Sequence, residues 1–138
     1  MASATVDLVR RAFDAYNSRE VDALLRVLHP DVHVRSLMTE AERADYHGHQ
    51  GAREWYAAVF DVFPDWAPRI DKIREVSADT VVIAFTARAT ATSSGVRIEQ
   101  RYWQGVHLRE GLVDYFGFFR SEEDALEALG VGKAGPRE

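Results

Sequence analysis

The stretch VRIEQRYWQGVHLREGLVDYFGFF, residues 96–119, decides the fold. Two β-rich runs flank Arg109-Glu110-Gly111. Three residues ending in glycine suit a type I turn closed by a left-handed glycine and a bulge, the join of an antiparallel hairpin. That turn pairs Leu108 with Leu112, Val106 with Asp114, Gln104 with Phe116 and Tyr102 with Phe118. Alternation puts those residues on one face. Trp103, Gly105, Tyr115, Gly117 and Phe119 fall on the other.

Upstream, TVVIAFTARATAT (residues 80–92) has the β-branched content and alternation of a long strand. Ile83, Phe85, Ala87, Ala89 and Ala91 share its apolar face, and Thr86, Arg88 and Thr90 the other. RIDKIREV (69–76) is a further strand, and SSGVR (93–97) a hairpin turn too short for a nucleotide loop. The first half is helical. Val6, Val9, Phe13 and Tyr16 recur at helical spacing behind Thr5 as N-cap. Asn17 and Glu20 have capping-box spacing before the stripe Val21, Leu24, Leu25 and Leu28, which Pro30 stops. DVHVRSL (31–37) alternates as a short strand. Ala52, Trp55, Tyr56, Val59, Phe60 and Phe63 form a third helical stripe, ended by Pro64 and entered through the loop YHGHQG (46–51). SEEDALEALG (121–130) is a closing helix capped by Ser121 and ended by Gly130. We expect one domain over residues 1–131 and a flexible tail over 132–138.

Charge and composition exclude several functions. The 138 residues are 46% hydrophobic, enough for one core. A formal net charge of -5 argues against nucleic acid and against an anionic membrane surface. Without cysteine there is no disulfide, thiol nucleophile or cysteine-ligated metal. The opening residues show no signal-peptide pattern, so the expected location is the cytoplasm.

LVRRAFDAYNSREVDALLRVLHPDVHV, YHGHQGAREWY, VHLREGLVDYF and ALEALGV, in this order and spacing, resemble the SnoaL-like domain proteins of the nuclear-transport-factor-2-like superfamily. The resemblance implies an α+β fold. In it a curved, mostly antiparallel sheet wraps around N-terminal helices to form a cone with an internal pocket. It also implies a homodimer. It fixes no reaction, because the fold hosts isomerases, cyclases, hydrolases, dehydratases and binding modules. The family's Tyr-x-Gly-x-x-Gly pattern is met by Tyr46, Gly48 and Gly51. Residue by residue, the catalytic patterns are not. The base of ketosteroid isomerase falls at Ser36 and its partner acid near Gln104. The assisting tyrosine falls near Ala12, one turn from Tyr16, and the aspartate of SnoaL-type cyclases falls at Phe118.

The expected partner is therefore a small hydrophobic oxygenated molecule of polyketide, steroid or terpenoid type, bound or transformed without cofactor or metal. Tyr102, Trp55, Phe85, Ala87, Ala89, Phe116, Phe118, Val34 and Ser36 would line its pocket, with Tyr46 and His49 at the rim. As an acid/base isomerase, cyclase or hydratase it would use Asp114, the one carboxylate expected on the inner side of the last strand. Tyr16, Tyr102 and Gln104 would assist. The remaining reading is a non-catalytic dimerising scaffold. His33, His47 and His49 could ligate a metal, but the glycines give their loop a backbone explanation. Arg35 and Arg53 could meet an anion at the pocket mouth. Trp103, Tyr115 and Phe119 form an aromatic patch suited to a two-fold contact.

Overall fold

A computed structural model describes residues 4–36, 44–90 and 94–130. Helices α1 (Ala4–Asn17) and α2 (Val21–Arg26) lead into strand β1 (Leu28–Ser36). Strand β2 (Ala44–His47) and helix α3 (Gly48–Val62) follow. Strands β3 (Ala67–Ser77), β4 (Thr80–Thr90), β5 (Arg97–Arg109) and β6 (Leu112–Phe119) precede helix α4 (Glu122–Ala128). The six strands form one sheet in the order β2-β1-β6-β5-β4-β3. Only the β1–β6 contact is parallel. This is the α+β, mostly antiparallel architecture expected. The expected tail and Ala91 lie outside the described residues.

Alternation divides the sheet into two faces. Ile83, Phe85, Ala87 and Ala89 are all buried on the inner face, so the strand register expected for β4 holds. There Ile83, Phe85 and Ala87 join Val9 and Tyr16 of α1, Leu24 and Leu25 of α2, and Trp55 and Val59 of α3 in the main core. Outside, Val82, Phe119 and Ala125 form a smaller core with Trp103, Leu126 and Leu129, under α4. Ser121 Oγ caps α4 by accepting from Asp124 N at 3.1 Å, and Gly130 follows the helix with φ +82°. A Cβ on Gly105 would sit 3.2 Å from the Leu129 side chain, so glycine lets α4 lie close on the strand.

Several local readings need correction. Thr5 lies inside α1 and its hydroxyl donates to Ala78 O at 3.3 Å. Asn17 donates to Pro68 O at 3.1 Å, and Glu20 caps α2 without a side-chain bond, so no capping box forms. Leu28 and Pro30 belong to β1, where the pairing with β6 is irregular between Leu28 and His33 and tolerates proline's missing N–H. The stretch 46–51 is not a loop. Tyr46 and His47 end β2, and α3 begins at Gly48 with φ +74°. A Cβ on Gly51 would lie 3.1 Å from the Tyr46 carbonyl carbon, which is why this junction needs both glycines.

The hairpin 96–119 carries the correction with most consequence. Glu110 and Gly111 both have positive φ, +57° and +78°, so the turn is a two-residue type I′ turn. Arg109 pairs with Leu112 and Leu108 with Val113. The register then shifts, and His107 pairs with Tyr115 and Val106 with Phe116. Asp114 is the extra residue of that bulge. The bulge restores the expected faces beyond it, so Gln104 meets Phe118 and Trp103 meets Phe119. Phe119, however, is 6% exposed beneath α4, so the expected three-aromatic patch is not open. Trp103 and Tyr115 are half-buried.

Candidate functional site

Between the inner face and helices α1–α3 lies a cavity of about 330 Å³. Val9, Ala12, Phe13 and Tyr16 reach it from α1, because they lie on one helical stripe. Trp55 and Val59 reach it from α3, and Phe63 and Trp66 from the segment after it. Ile83 and Phe85 of β4, Ile98, Gln100, Tyr102, Gln104 and Val106 of β5, and Val113, Phe116 and Phe118 of β6 complete most of the wall. Its aromatic rings support one another. Trp55 meets Phe116 edge-on at 5.1 Å and stacks on Phe118 at 5.8 Å, and Phe85 stacks on Tyr102 at 5.6 Å. Such contacts hold the wall in one geometry and preorganise the space.

The polar groups on this wall are Tyr16, Ser36, Gln100, Tyr102 and Gln104, with the indole of Trp66. Among the described residues no carboxylate, imidazole, lysine or arginine lines the cavity. Tyr16 OH and Gln104 Oε1 are sealed from solvent and have no hydrogen-bond partner. Burial pushes the Tyr16 phenol far above its ordinary range, and the neighbouring Tyr56 adds to this. Burial also raises Tyr102. Both are neutral hydroxyls at physiological pH.

The model of the SnoaL-like domain matches residues 9–116. The chain belongs to the SnoaL-like domain family. No curated protein matches it. Among solved structures, it is similar to an NTF2-like protein of unknown function from Burkholderia pseudomallei, at 19% identity and a TM-score of 0.79. That likeness covers 91% of this chain and 97% of the other. A candidate SnoaL-like polyketide cyclase from Jannaschia shares 18% identity and a TM-score of 0.73, over 97% and 94% of the two chains. A Mycobacterium tuberculosis protein solved with estradiol-17β-hemisuccinate shares 9% identity and a TM-score of 0.73, over 88% and 96%. At these identities the likeness shows the fold.

In this SnoaL-like chain, the positions singled out in the sequence separate cleanly. Tyr16, Ser36, Trp55, Phe85, Tyr102, Gln104, Phe116 and Phe118 come together on the wall. Ala12, Ser36, Gln104 and Phe118, where the resemblance places catalytic groups, all line the cavity, and none is ionisable. Val34 is fully buried in the surrounding core. Ala87 and Ala89 are buried on the inner face but do not line the cavity. Their longer partners on β5, Gln100 and Ile98, form the wall there. Tyr46 and His49 are also off the wall. His49 Nε2 bonds Leu28 O at 2.9 Å, anchoring α3 to β1.

The expected inner placement of Asp114 is corrected by the bulge. Its carboxylate accepts from His107 Nδ1 at 2.6 Å and pairs with Arg109 Nε at 3.3 Å, on the outer face. His107 Nε2 lies 3.5 Å from Asp79, and Arg109 reaches Asp31 at 3.3 Å. This is an ion network tying the hairpin to its neighbours. The three histidines weighed as metal ligands, on β1, β2 and α3, do not converge on one point. His33 stacks on His47 at 4.7 Å and bonds Asp45 at 2.9 Å, while His49 turns to Leu28. Arg53 pairs with Asp22 at 2.6 Å, and Arg35 lies over the Phe119 ring at 5.1 Å, so neither lines the cavity. Sequence reading missed Trp66, Ile98 and Gln100. Trp66 follows a proline break with no periodicity around it. Ile98 and Gln100 share the parity of Tyr102 and Gln104 and were legible from that signal.

Proposed function

We propose that this SnoaL-like protein binds a small, uncharged, hydrophobic oxygenated compound of polyketide, steroid or terpenoid type. One observation carries the reading: an aromatic cavity of about 330 Å³ whose polar groups, among the described residues, are all neutral. That volume is within the roughly 300–1,000 Å³ of small-molecule sites. A charged ligand would lose its hydration there without a counter-ion. The M. tuberculosis neighbour holds a steroid ester, and its steroid skeleton, not its charged hemisuccinate arm, supports the hydrophobic part of the ligand class. Acid/base catalysis would need an ionisable group at the ligand, and Asp114 stands on the other face of the sheet. The proposed setting is a cytoplasmic homodimer, its two-fold contact resting on Trp103 and Tyr115, since α4 covers Phe119.

Trp55 and Trp66 line the cavity, so their fluorescence reports on it directly. Titration with androst-4-ene-3,17-dione should quench it saturably, and the steroid should be recovered unchanged. Ala12→Phe, which narrows the cavity from α1, should abolish the quench while the protein stays folded. Absence of saturable quenching by this steroid and by 1-hydroxyanthraquinone would remove the binding reading. Conversion of either compound would make the protein an enzyme.

A further inference from the structure

Helix α1 ends on a residue that its turn does not favour. Arg19 N donates to Tyr16 O at 3.2 Å and Glu20 N to Ala15 O at 2.9 Å, the bond pattern of a Schellman motif. The left-handed position of that motif ordinarily takes glycine, because a Cβ there crowds the backbone. Here it is Arg19, with φ +61°. An outlier of this kind points to a role for the side chain. That side chain crosses to residues 63–66, which join α3 to β3 and lie outside any helix or strand. Arg19 Nη2 donates to Pro64 O at 2.8 Å and Nη1 to Trp66 O at 3.4 Å, with the guanidinium carbon 3.8 Å from the Phe60 ring centroid. Two further bonds tie the same region. Asn17 Nδ2 donates to Pro68 O at 3.1 Å, and Thr90 N donates to Asp65 Oδ1 at 2.7 Å.

This segment stands at the open end of the cavity. Along β5 the wall passes from buried Val106 and Gln104 through half-buried Tyr102 to exposed Gln100. Among the described residues, the cavity therefore opens towards the start of β5. The Trp66 ring is 6.0 Å from Tyr102 and 5.7 Å from Phe63, and both wall rings of the segment are half-buried there. We propose that Arg19 is a positioning residue for the ligand site, a clasp that holds Phe63 and Trp66 over the mouth of the cavity and governs passage of the ligand. The proposal rests on the cavity being a ligand site. Arg19 does not line the cavity and acts through the Pro64 and Trp66 carbonyls. Both of its bonds are exposed to solvent, so they open more readily than the strand ladders behind them.

The test is the rate of ligand exchange. Stopped-flow fluorescence of the full chain with androst-4-ene-3,17-dione, or with 1-hydroxyanthraquinone where the steroid does not bind, gives association and dissociation rate constants. Arg19→Gly removes the clasp at a backbone position that glycine favours, so the fold is kept. Both rate constants should rise about tenfold, the size of one net hydrogen bond. The Kd should stay nearly the same, because the mouth opens for entry and exit alike. Arg19→Ala loses the same clasp but keeps the backbone strain. It should melt below Arg19→Gly and yet exchange ligand equally fast. Hydrogen exchange in Arg19→Gly should quicken at Trp66, whose N–H donates to Phe63 O at 3.0 Å, and stay unchanged in β5. Rate constants or Trp66 exchange unchanged from the wild type would overturn the clasp while leaving the binding reading intact. So would a weaker Kd at an unchanged association rate, or ligand exchange that follows melting temperature across the two variants. Absence of saturable binding of either compound by the wild type would overturn both.

Discussion

The two faces of one sheet treat their polar groups in opposite ways. Outside, Asp114, His107, Arg109 and Asp79 are linked in an ion network, and Asp71 accepts from Thr86 at 2.6 Å and from Arg101 at 3.4 Å. Inside, among the described residues, the cavity wall carries only neutral polar side chains, those of Tyr16, Ser36, Gln100, Tyr102 and Gln104 with the Trp66 indole. Folding alone favours the first arrangement, because unpaired buried polar atoms destabilise. The second suits a cavity that takes an uncharged ligand. The contrast teaches that the ion pairs named here brace the outer face, whereas the cavity wall, among the described residues, is aromatic and neutral.

The largest effect should come from the inner wall. Phe85 is 1% exposed and touches Phe13, Tyr102 and Phe118. Phe85→Ala should cost about 3–5 kcal/mol in urea unfolding, because the rigid aromatic wall cannot close over the void. A loss of less than about 2 kcal/mol would mean that the wall relaxes freely, and the preorganised cavity would go with it.

Asp114→Ala probes the outer network. It should cost about 1–2 kcal/mol by thermal or urea unfolding, since its partners are partly solvent-exposed. Steroid binding should be unchanged. A marked loss of binding would break the separation of the faces and return Asp114 to the site.

The smallest effect should appear only against pH. The Thr86 hydroxyl holds the Asp71 carboxyl below its usual range, with Arg101 and Arg69 helping against a desolvation cost. A folded-state value below the unfolded one gives stability that is present above the unfolded value, near pH ~3.9, and lost as pH falls through the folded one. Thr86→Val should therefore be slightly less stable at neutral pH, and the gap should close in acid. A gap that stays constant down to about pH 2 would show that the hydroxyl acts by packing rather than through the carboxylate.

Periodicity carried much of the fold. The stripes of α1 and α3 and the alternation of β4 and β5 placed Tyr16, Trp55, Phe85, Tyr102 and Gln104 on inward faces, because side-chain direction follows directly from backbone repeat. The same logic failed at Asp114. Glu110 and Gly111 both adopt positive φ, so the turn is one residue shorter than expected, and a bulge absorbs the difference. Sequence spacing is compatible with either turn, and pairing along the whole hairpin chooses between them. Ala87 and Ala89 point inward as expected, but wall membership depended on the lengths of their neighbours across the strand.

What the sequence by itself determined is thus the order of the helices and of every strand except β2, the two faces of the sheet and the absence of ionisable groups at positions 12, 36, 104 and 118. These are local or positional properties, set by alternation and residue chemistry. Only the tertiary structure decided that α4 closes over Phe119, that Asp114 turns outward, and that Tyr16 and Tyr56 meet with neither hydroxyl partnered. Each depends on segments far apart in the chain packing together, and a missing partner is visible only once every neighbour has been placed.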